Sequence, residues 1–90
     1  MVIEQFRSGD TAAAYRRFRE QGRGAPEGLT YVGSWIDVGL SRCFQLMEAD
    51  DAALLQEWCA FWADLVEFEV VPVTTSAETA ALMTRRESAT

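Results

Sequence analysis

The segments of this chain that have strand periodicity carry apolar residues on both faces, although the helices between them can cover only one face. In the run from 66 to 74, for example, Phe68 and Val70 alternate with Val71 and Val73. An antiparallel sheet with one face in water would separate apolar from polar residues. An exposed second face would also exceed the few hundred Å² of apolar patch that soluble monomers usually tolerate. The pattern therefore predicts a homodimer in which two sheets face each other as an incomplete barrel.

The length limits the chain to one domain, residues 1–90, since single domains run from roughly 50 to 250 residues. A chain of this size buries only about 60% of its unfolded surface, so a second copy would add to a thin core. Apolar residues make up 49% and charged residues 24%, as in globular proteins.

Charge and residue usage exclude several functions. The formal net charge is −6 and all eight basic residues are arginine, so we expect neither nucleic acid nor a membrane surface as a partner. The chain has no His, Lys or Asn, which removes Ser-His and Cys-His nucleophiles, Schiff-base chemistry and imidazole metal ligands. Cys43 and Cys59 lie too far apart in sequence for a zinc or iron–sulfur motif, and we interpret each as a small buried apolar residue. We expect no metal and no cofactor.

No targeting segment and no run of about 20 apolar residues is readable in the sequence. The expectation is a cytoplasmic protein.

The periodicity predicts six main elements in the order βαββαβ, followed by a short C-terminal helix. This order indicates an α+β fold with a four-stranded antiparallel sheet, of the ferredoxin-like type. Pro72 in the last strand predicts a sheet edge, because proline has no N–H for a ladder. Thr75 and Glu78 form a capping-box pattern before the last helix. The predicted strands are 2–7, 29–37, 42–49 and 66–74, and the two longer helices start at Asp10 or Thr11 and at Asp50 or Asp51.

The two longer helices have distinct apolar faces. In the first, Ala14, Tyr15 and Phe18 are predicted to be buried, and the arginines are predicted to face water. In the second, the spacing of Trp58 and Trp62 places both on the buried stripe. The arginines that are predicted to face water, in and directly after the first helix, are Arg16, Arg17, Arg19 and Arg23.

A four-residue hairpin loop at 38–41 fixes the expected pairing of the two middle strands. With this loop, Asp37 lies opposite Arg42 and Tyr31 lies opposite Glu48. One face then carries Tyr31, Gly33, Trp35, Phe44 and Leu46, and the other carries Val32, Ser34, Ile36, Cys43, Gln45 and Met47.

The aromatic face is the predicted lining of a cavity between the two sheets, where a small organic molecule would bind. Tyr31 and Trp35 offer flat apolar surfaces with one polar tip each, and Arg42 offers a planar fork for anionic oxygens. Glu4 and Glu48 are weak candidates for catalytic acids or bases. Gln45 completes the ligand-binding candidates, since a polar group on a doubly covered strand needs a partner.

Each of these residues also has a purely structural interpretation. Tyr31 and Trp35 could simply pack a dimer interface, and Arg42 could join the hairpin by pairing with Asp37. Glu4 and Glu48 could form hydrogen bonds across the dimer. A cavity of at least ~300 Å³ would favour ligand binding.

Four segments carry a resemblance to a small bacterial family of domains of unknown function. They read VIEQFR at 2–7, YRRFRE at 15–20, RCFQLME at 42–48 and FEVVPV at 68–73. Members of this family are similar to dimeric α+β barrels, an architecture shared with muconolactone isomerase-like proteins and cofactor-independent monooxygenases. The resemblance implies the fold and a homodimer, and it implies no established activity. The absence of histidine departs from many barrel enzymes that use one as a base.

Two hypotheses follow. In the first, the barrel binds a small aromatic or polyketide-like molecule, and an isomerase, cyclase or monooxygenase-like activity would use Glu4 or Glu48 to move a proton and Arg42 to hold an oxyanion. In the second, the protein is a structural or accessory dimer.

Overall fold

Four antiparallel strands form one sheet in the order β2-β3-β1-β4, and this computed structural model describes residues 1–89. The order places β1 and β3 in the centre and β4 at an edge, which confirms the ferredoxin-like α+β prediction and the edge position deduced from Pro72. The strands are β1 Val2–Phe6, β2 Leu29–Ile36, β3 Arg42–Ala49 and β4 Val66–Val70, and the helices are α1 Thr11–Gln21, α2 Ala52–Trp62 and α3 Ser76–Ser88.

The last strand is shorter than predicted and ends at Val70 instead of 74. One further exchange of main-chain bonds follows, in which the Val71 N–H donates to the Met1 carbonyl at 2.8 Å and the Met1 ammonium donates to the Val71 carbonyl at 2.7 Å. Pro72 comes next and has no N–H to donate, so the strand pairing ends there.

Side-chain caps fix where the helices begin, as the sequence predicted. Asp10 accepts a hydrogen bond from the Ala13 N–H, and Thr75 accepts one from the Glu78 N–H, each at 3.0 Å. Asp51 does the same for α2. These caps satisfy N–H groups that have no partner inside a helix. Within residues 1–89, no helix has both the length and the apolar content needed to cross a membrane.

The core lies between the sheet and α1 and α2, on one face of the sheet. Its most buried side chains are Trp58 and Val2, each 1% exposed. The predicted burial of Tyr15 and Phe18 is wrong, since they are 47% and 42% exposed. The small side chain of Ala14 is the buried one on α1, and the two rings beside it border a cavity instead.

A β-bulge in β2 overturns part of the predicted register. Trp35 lies opposite Phe44 as expected, and Gly33 lies opposite Leu46. Tyr31, however, lies opposite Met47 and not Glu48, because Val32 is an extra residue in the ladder.

The bulge changes the face on which Tyr31 lies. Side chains alternate along a strand, so a slip of one residue moves every side chain beyond it to the other face. Tyr31 therefore shares the helix-covered face with Ser34, and their hydroxyl groups are hydrogen-bonded at 2.8 Å.

Asp37 links the two strands of the hairpin through hydrogen bonds with Ser41 and with the main chain of Arg42. Its carboxylate accepts hydrogen bonds from the Ser41 N–H, the Ser41 hydroxyl and the Arg42 N–H, each at 2.8 Å. These hydrogen bonds lower the pKa of Asp37, and the bond from the Arg42 N–H has the largest effect. The Arg42 guanidinium lies over the Phe44 ring at 5.2 Å. Asp37 thus holds the backbone of Arg42 and leaves its guanidinium on the sheet face.

We expect Leu40→Asn to stabilise the protein by up to about 1 kcal/mol. Leu40 adopts a left-handed backbone conformation, with φ of 62°, and its side chain is 56% exposed. Asparagine tolerates this conformation better than leucine, and little apolar burial is lost. Urea denaturation followed by circular dichroism measures the change. Val38→Asn, in the same turn at a fully exposed position, is the control and should change little; a loss of stability in Leu40→Asn would contradict the argument.

Candidate functional site

A cavity of about 230 Å³ lies between the helix-covered face of the sheet and helices α1 and α2, within a single chain. The sheet contributes polar groups to its wall, the helices contribute aromatic rings, and the loop from 22 to 28 contributes one arginine. The main lining residues are Glu4, Cys43 and Gln45 from the sheet, Tyr15 and Phe18 from α1, Trp58 and Trp62 from α2, and Arg23 from the loop.

Two tryptophans fix the loop beside the cavity. Trp58 and Trp62 are four residues apart on α2 and therefore lie on the same side of the helix. Both indole N–H groups donate to the carbonyl oxygen of Arg23, at 2.9 and 2.8 Å. A carbonyl oxygen has two lone pairs and can accept both bonds. The main chain at Arg23 is thereby attached to the core.

Glu4 is the acidic group of the cavity. It lies opposite Cys43 in the β1–β3 ladder and is half-buried. Removal from water raises the pKa of Glu4 to about 7, although a hydrogen bond from the Cys43 thiol and the positive charge of Arg23 act in the opposite direction. A carboxyl group with this pKa can gain or lose a proton near neutral pH.

Both cysteines are free thiols. Burial, together with the nearby Glu4 carboxylate, raises the pKa of Cys43 to about 11. Burial also raises the pKa of Cys59. Since the thiolate is the nucleophilic form, neither residue is activated, and Cys43 serves as a neutral hydrogen-bond donor to Glu4.

The polar end of Gln45 has a weak partner. This side chain is only 4% exposed, and its amide nitrogen donates to the Met47 sulfur at 3.3 Å. A thioether is a weak acceptor, so a ligand oxygen could replace the sulfur as the acceptor.

The prediction that Arg17 and Arg23 face water is wrong. Arg17 forms a bidentate salt bridge with Asp64. Arg23 is half-buried, and its guanidinium carbon lies 3.6 Å from the centre of the Tyr31 ring and 5.1 Å from that of Phe18. Arginine side chains stack on aromatic faces in this way, which brings Arg23 to the mouth of the cavity.

The family model described as Domain of unknown function (DUF3303) matches residues 1–87. The chain belongs to this family. No curated protein and no solved structure matches it.

In this DUF3303 chain, the residues predicted to form one site are divided between two faces of the sheet. Glu4 and Gln45 line the cavity, and Tyr31 contacts it through Arg23. Trp35, Arg42 and Glu48 lie on the opposite face, as the strand registers show. Glu4 lies opposite Cys43 and Trp35 lies opposite Phe44, so the pairing of both strands with β3 puts them on different faces. The bulge separates Tyr31 from both Trp35 and Glu48.

Most residues of the aromatic wall were not predicted to belong to a site. Trp58 and Trp62 were interpreted as core, and Arg23 as a solvated side chain. Their joint role depends on a contact between a loop and a helix that are 35 residues apart in sequence. One signal was available, since a buried tryptophan usually needs an acceptor for its N–H. Among residues 1–89, no cluster of three or more Cys, Asp or Glu residues could hold a metal ion.

We expect Glu4→Gln to remove a pH dependence of stability. The pKa of Glu4 rises from its ordinary 4.5 to about 7 in the folded chain, so the folded state binds the proton more tightly than the unfolded state. This contribution is fully present below about pH 4.5 and is lost as the pH rises through about 7. Between pH 5 and pH 8, the free energy of unfolding of the wild type should fall by about 2 to 3 kcal/mol relative to Glu4→Gln.

Urea denaturation at several pH values measures this difference. Glu57→Gln, which removes an exposed carboxylate from α2, is the matched control and should follow the wild type. Parallel curves for the wild type and Glu4→Gln would show that the Glu4 carboxyl ionises as it does in water.

Proposed function

We propose that each DUF3303 chain binds a small planar organic molecule in the cavity between the sheet and its helices, and that Glu4 exchanges a proton with that molecule. The observation that supports this most directly is the Glu4 carboxyl group, which is half-buried beside aromatic rings and has a pKa of about 7. Residues with such shifted pKa values in a cavity are typical of functional sites.

The size of the cavity limits the ligand. Its 230 Å³ does not reach the ~300 Å³ expected above of a ligand-binding cavity, the volume at which pockets for drug-sized molecules begin. A cavity of ~150 Å³ already holds benzene. The proposed ligand therefore has one ring or two fused rings, and an extended polyketide-like molecule is too large for it.

The chemistry of the wall supports proton exchange more than other reactions. A carboxyl group titrating near neutral pH serves as donor or acceptor, which is the condition for general acid–base catalysis. A cofactor-independent isomerase or cyclase would use Glu4 in this way, by removing a proton from carbon next to a carbonyl group. The accessory-dimer hypothesis would use Glu4 for hydrogen bonds across the dimer, whereas Glu4 lines the cavity on the helix-covered face, away from the face proposed for association. A cytoplasmic location belongs to the same proposal, since Cys43 and Cys59 are free thiols.

The three tryptophans allow a direct test of binding. We expect the indole N–H signals of Trp58 and Trp62 in a ¹H–¹⁵N spectrum to shift saturably when phenol, benzamide or benzoate is added, because both rings line the cavity. Trp35 lies on the other face and is 58% exposed, so its signal serves as the internal control. Tryptophan-to-phenylalanine variants assign the three signals.

Equal shifts of all three signals, or none with any of the three compounds, would contradict the proposed site. Glu4→Gln keeps the shape of the side chain and removes its proton exchange. If Glu4→Gln binds the same compound and its affinity does not change with pH, whereas that of the wild type does, then the cavity binds the compound and the pH dependence comes from the Glu4 carboxyl group.

We also propose that two copies associate through the sheet face that the helices leave uncovered. This face presents Trp35 with its side chain 58% exposed, and by the observed register Ile3, Phe44 and Leu46 lie on the same face. Arg42 and Glu48 lie on the same face at the two ends of β3, and an apolar patch bordered by polar residues is typical of an association surface. Apolar residues on both faces of the strands predict a second copy of the chain as the partner, and the sheet of that copy would complete the barrel.

Light scattering at micromolar concentration tests the association. We expect the wild type to have twice the mass of one chain, and Trp35→Glu to have the mass of one chain, because a carboxylate in the apolar interface would lose its water without a partner. Gln56→Glu adds the same charge on the exposed side of α2 and should stay a dimer. A wild type with the mass of a single chain would refute the dimer.

A further inference from the structure

Arg23 holds its guanidinium group in a geometry that leaves the hydrogen-bonding edges open. The ring of Tyr31 lies 3.6 Å from the guanidinium carbon, so the contact uses the flat face of the group. The N–H bonds of a guanidinium lie in its plane and point outward. Stacking therefore positions the group without using its donors.

The main chain beneath this side chain is also fixed. The Arg23 carbonyl accepts both indole N–H bonds, which attaches the loop to α2. A cation held at both its backbone and its side chain loses little further entropy when a ligand binds to it.

Arg23 forms no salt bridge, in contrast to two other arginines in the part of the chain that the structure describes. Arg7 pairs with Glu67, and Arg17 pairs with Asp64. Arg23 is half-buried and borders the cavity, its guanidinium lies over the rings of Phe18 and Tyr31, and Glu4 is near enough to feel its charge. A partly desolvated cation with free donors favours an anion.

We propose that the ligand of the cavity is a planar aromatic anion, whose carboxylate or similarly delocalised oxyanion binds the in-plane N–H groups of Arg23 while its ring contacts the indoles of Trp58 and Trp62. Two parallel N–H···O bonds between arginine and a carboxylate are the usual arrangement. This proposal rests on the proposed function, because it specifies the charge of the ligand for the same cavity.

The anion and Glu4 would influence each other. The groups that face Glu4 are Cys43 on β3, Tyr15 on α1, Cys59 on α2 and Arg23. Of these, Arg23 carries the charge near neutral pH, because burial raises the pKa of both thiols and of the Tyr15 phenol. An anion on Arg23 offsets that positive charge and disfavours the Glu4 carboxylate. Binding therefore takes up a proton, and affinity falls as the pH rises through about 7.

Benzoate and benzamide test the inference, since they have nearly the same shape and differ in charge. Titrations follow the Trp58 and Trp62 indole signals at pH 6 and pH 8.5. At pH 6 we expect benzoate to bind about tenfold or more tightly than benzamide, as a charge-assisted pair implies. The ratio should decrease at pH 8.5, where Glu4 is ionised.

Arg23→Gln should weaken benzoate binding about tenfold or more and benzamide binding by a smaller factor, so that the preference for benzoate is lost. Arg19→Gln removes the same charge from an exposed position of α1 and should keep the preference. If Arg23→Gln fails to fold, the ratio in the wild type and its pH dependence still decide the question. Equal or tighter binding of benzamide would overturn the charge assignment and leave the proposed function standing, whereas no binding of either compound would count against both.

Discussion

The carbonyl oxygen of Arg23 accepts hydrogen bonds from the indoles of both Trp58 and Trp62, and the core and the candidate site both depend on this shared acceptor. The two bonds satisfy the only polar atoms of two large rings that are 1% and 7% exposed, which removes the cost of burying them. They also hold the loop against α2. One backbone atom therefore allows the aromatic wall to form and sets the position of the guanidinium at the cavity mouth.

The fold was predictable because its signals are local. Helix caps depend on residues three or fewer positions apart, as Thr75 and Glu78 show, and an edge strand follows from the missing N–H of Pro72. The bulge at Val32 was not predicted, although Gly33 marks it. A glycine within a strand often indicates a bulge or a close approach of the backbone. The length of the hairpin loop predicts the register correctly only for the residues between the loop and the bulge.

Part of the candidate site was predictable from the sequence. Glu4 and Gln45 were found because a polar side chain on a doubly covered strand is conspicuous in the sequence. Arg23 was missed because it becomes significant only through the Tyr31 ring and the indole bonds, which are contacts between distant segments. Trp35, Arg42 and Glu48 share the aromatic and charged character of a site, yet the register assigns them to the face proposed for association.

The bulge in β2 has a consequence for how this family can vary. Leu29 and Tyr31 lie on the same side of the bulge and on the same face, Leu29 in the core and Tyr31 under the guanidinium of Arg23. Pairing of Val32 with Met47, as in a strand without the bulge, would turn both residues outward together. The chain cannot lose the support of Arg23 by this route without also losing core burial, so selection for a stable fold alone would preserve the observed pairing of β2 with β3 and, with it, the charge at the cavity mouth.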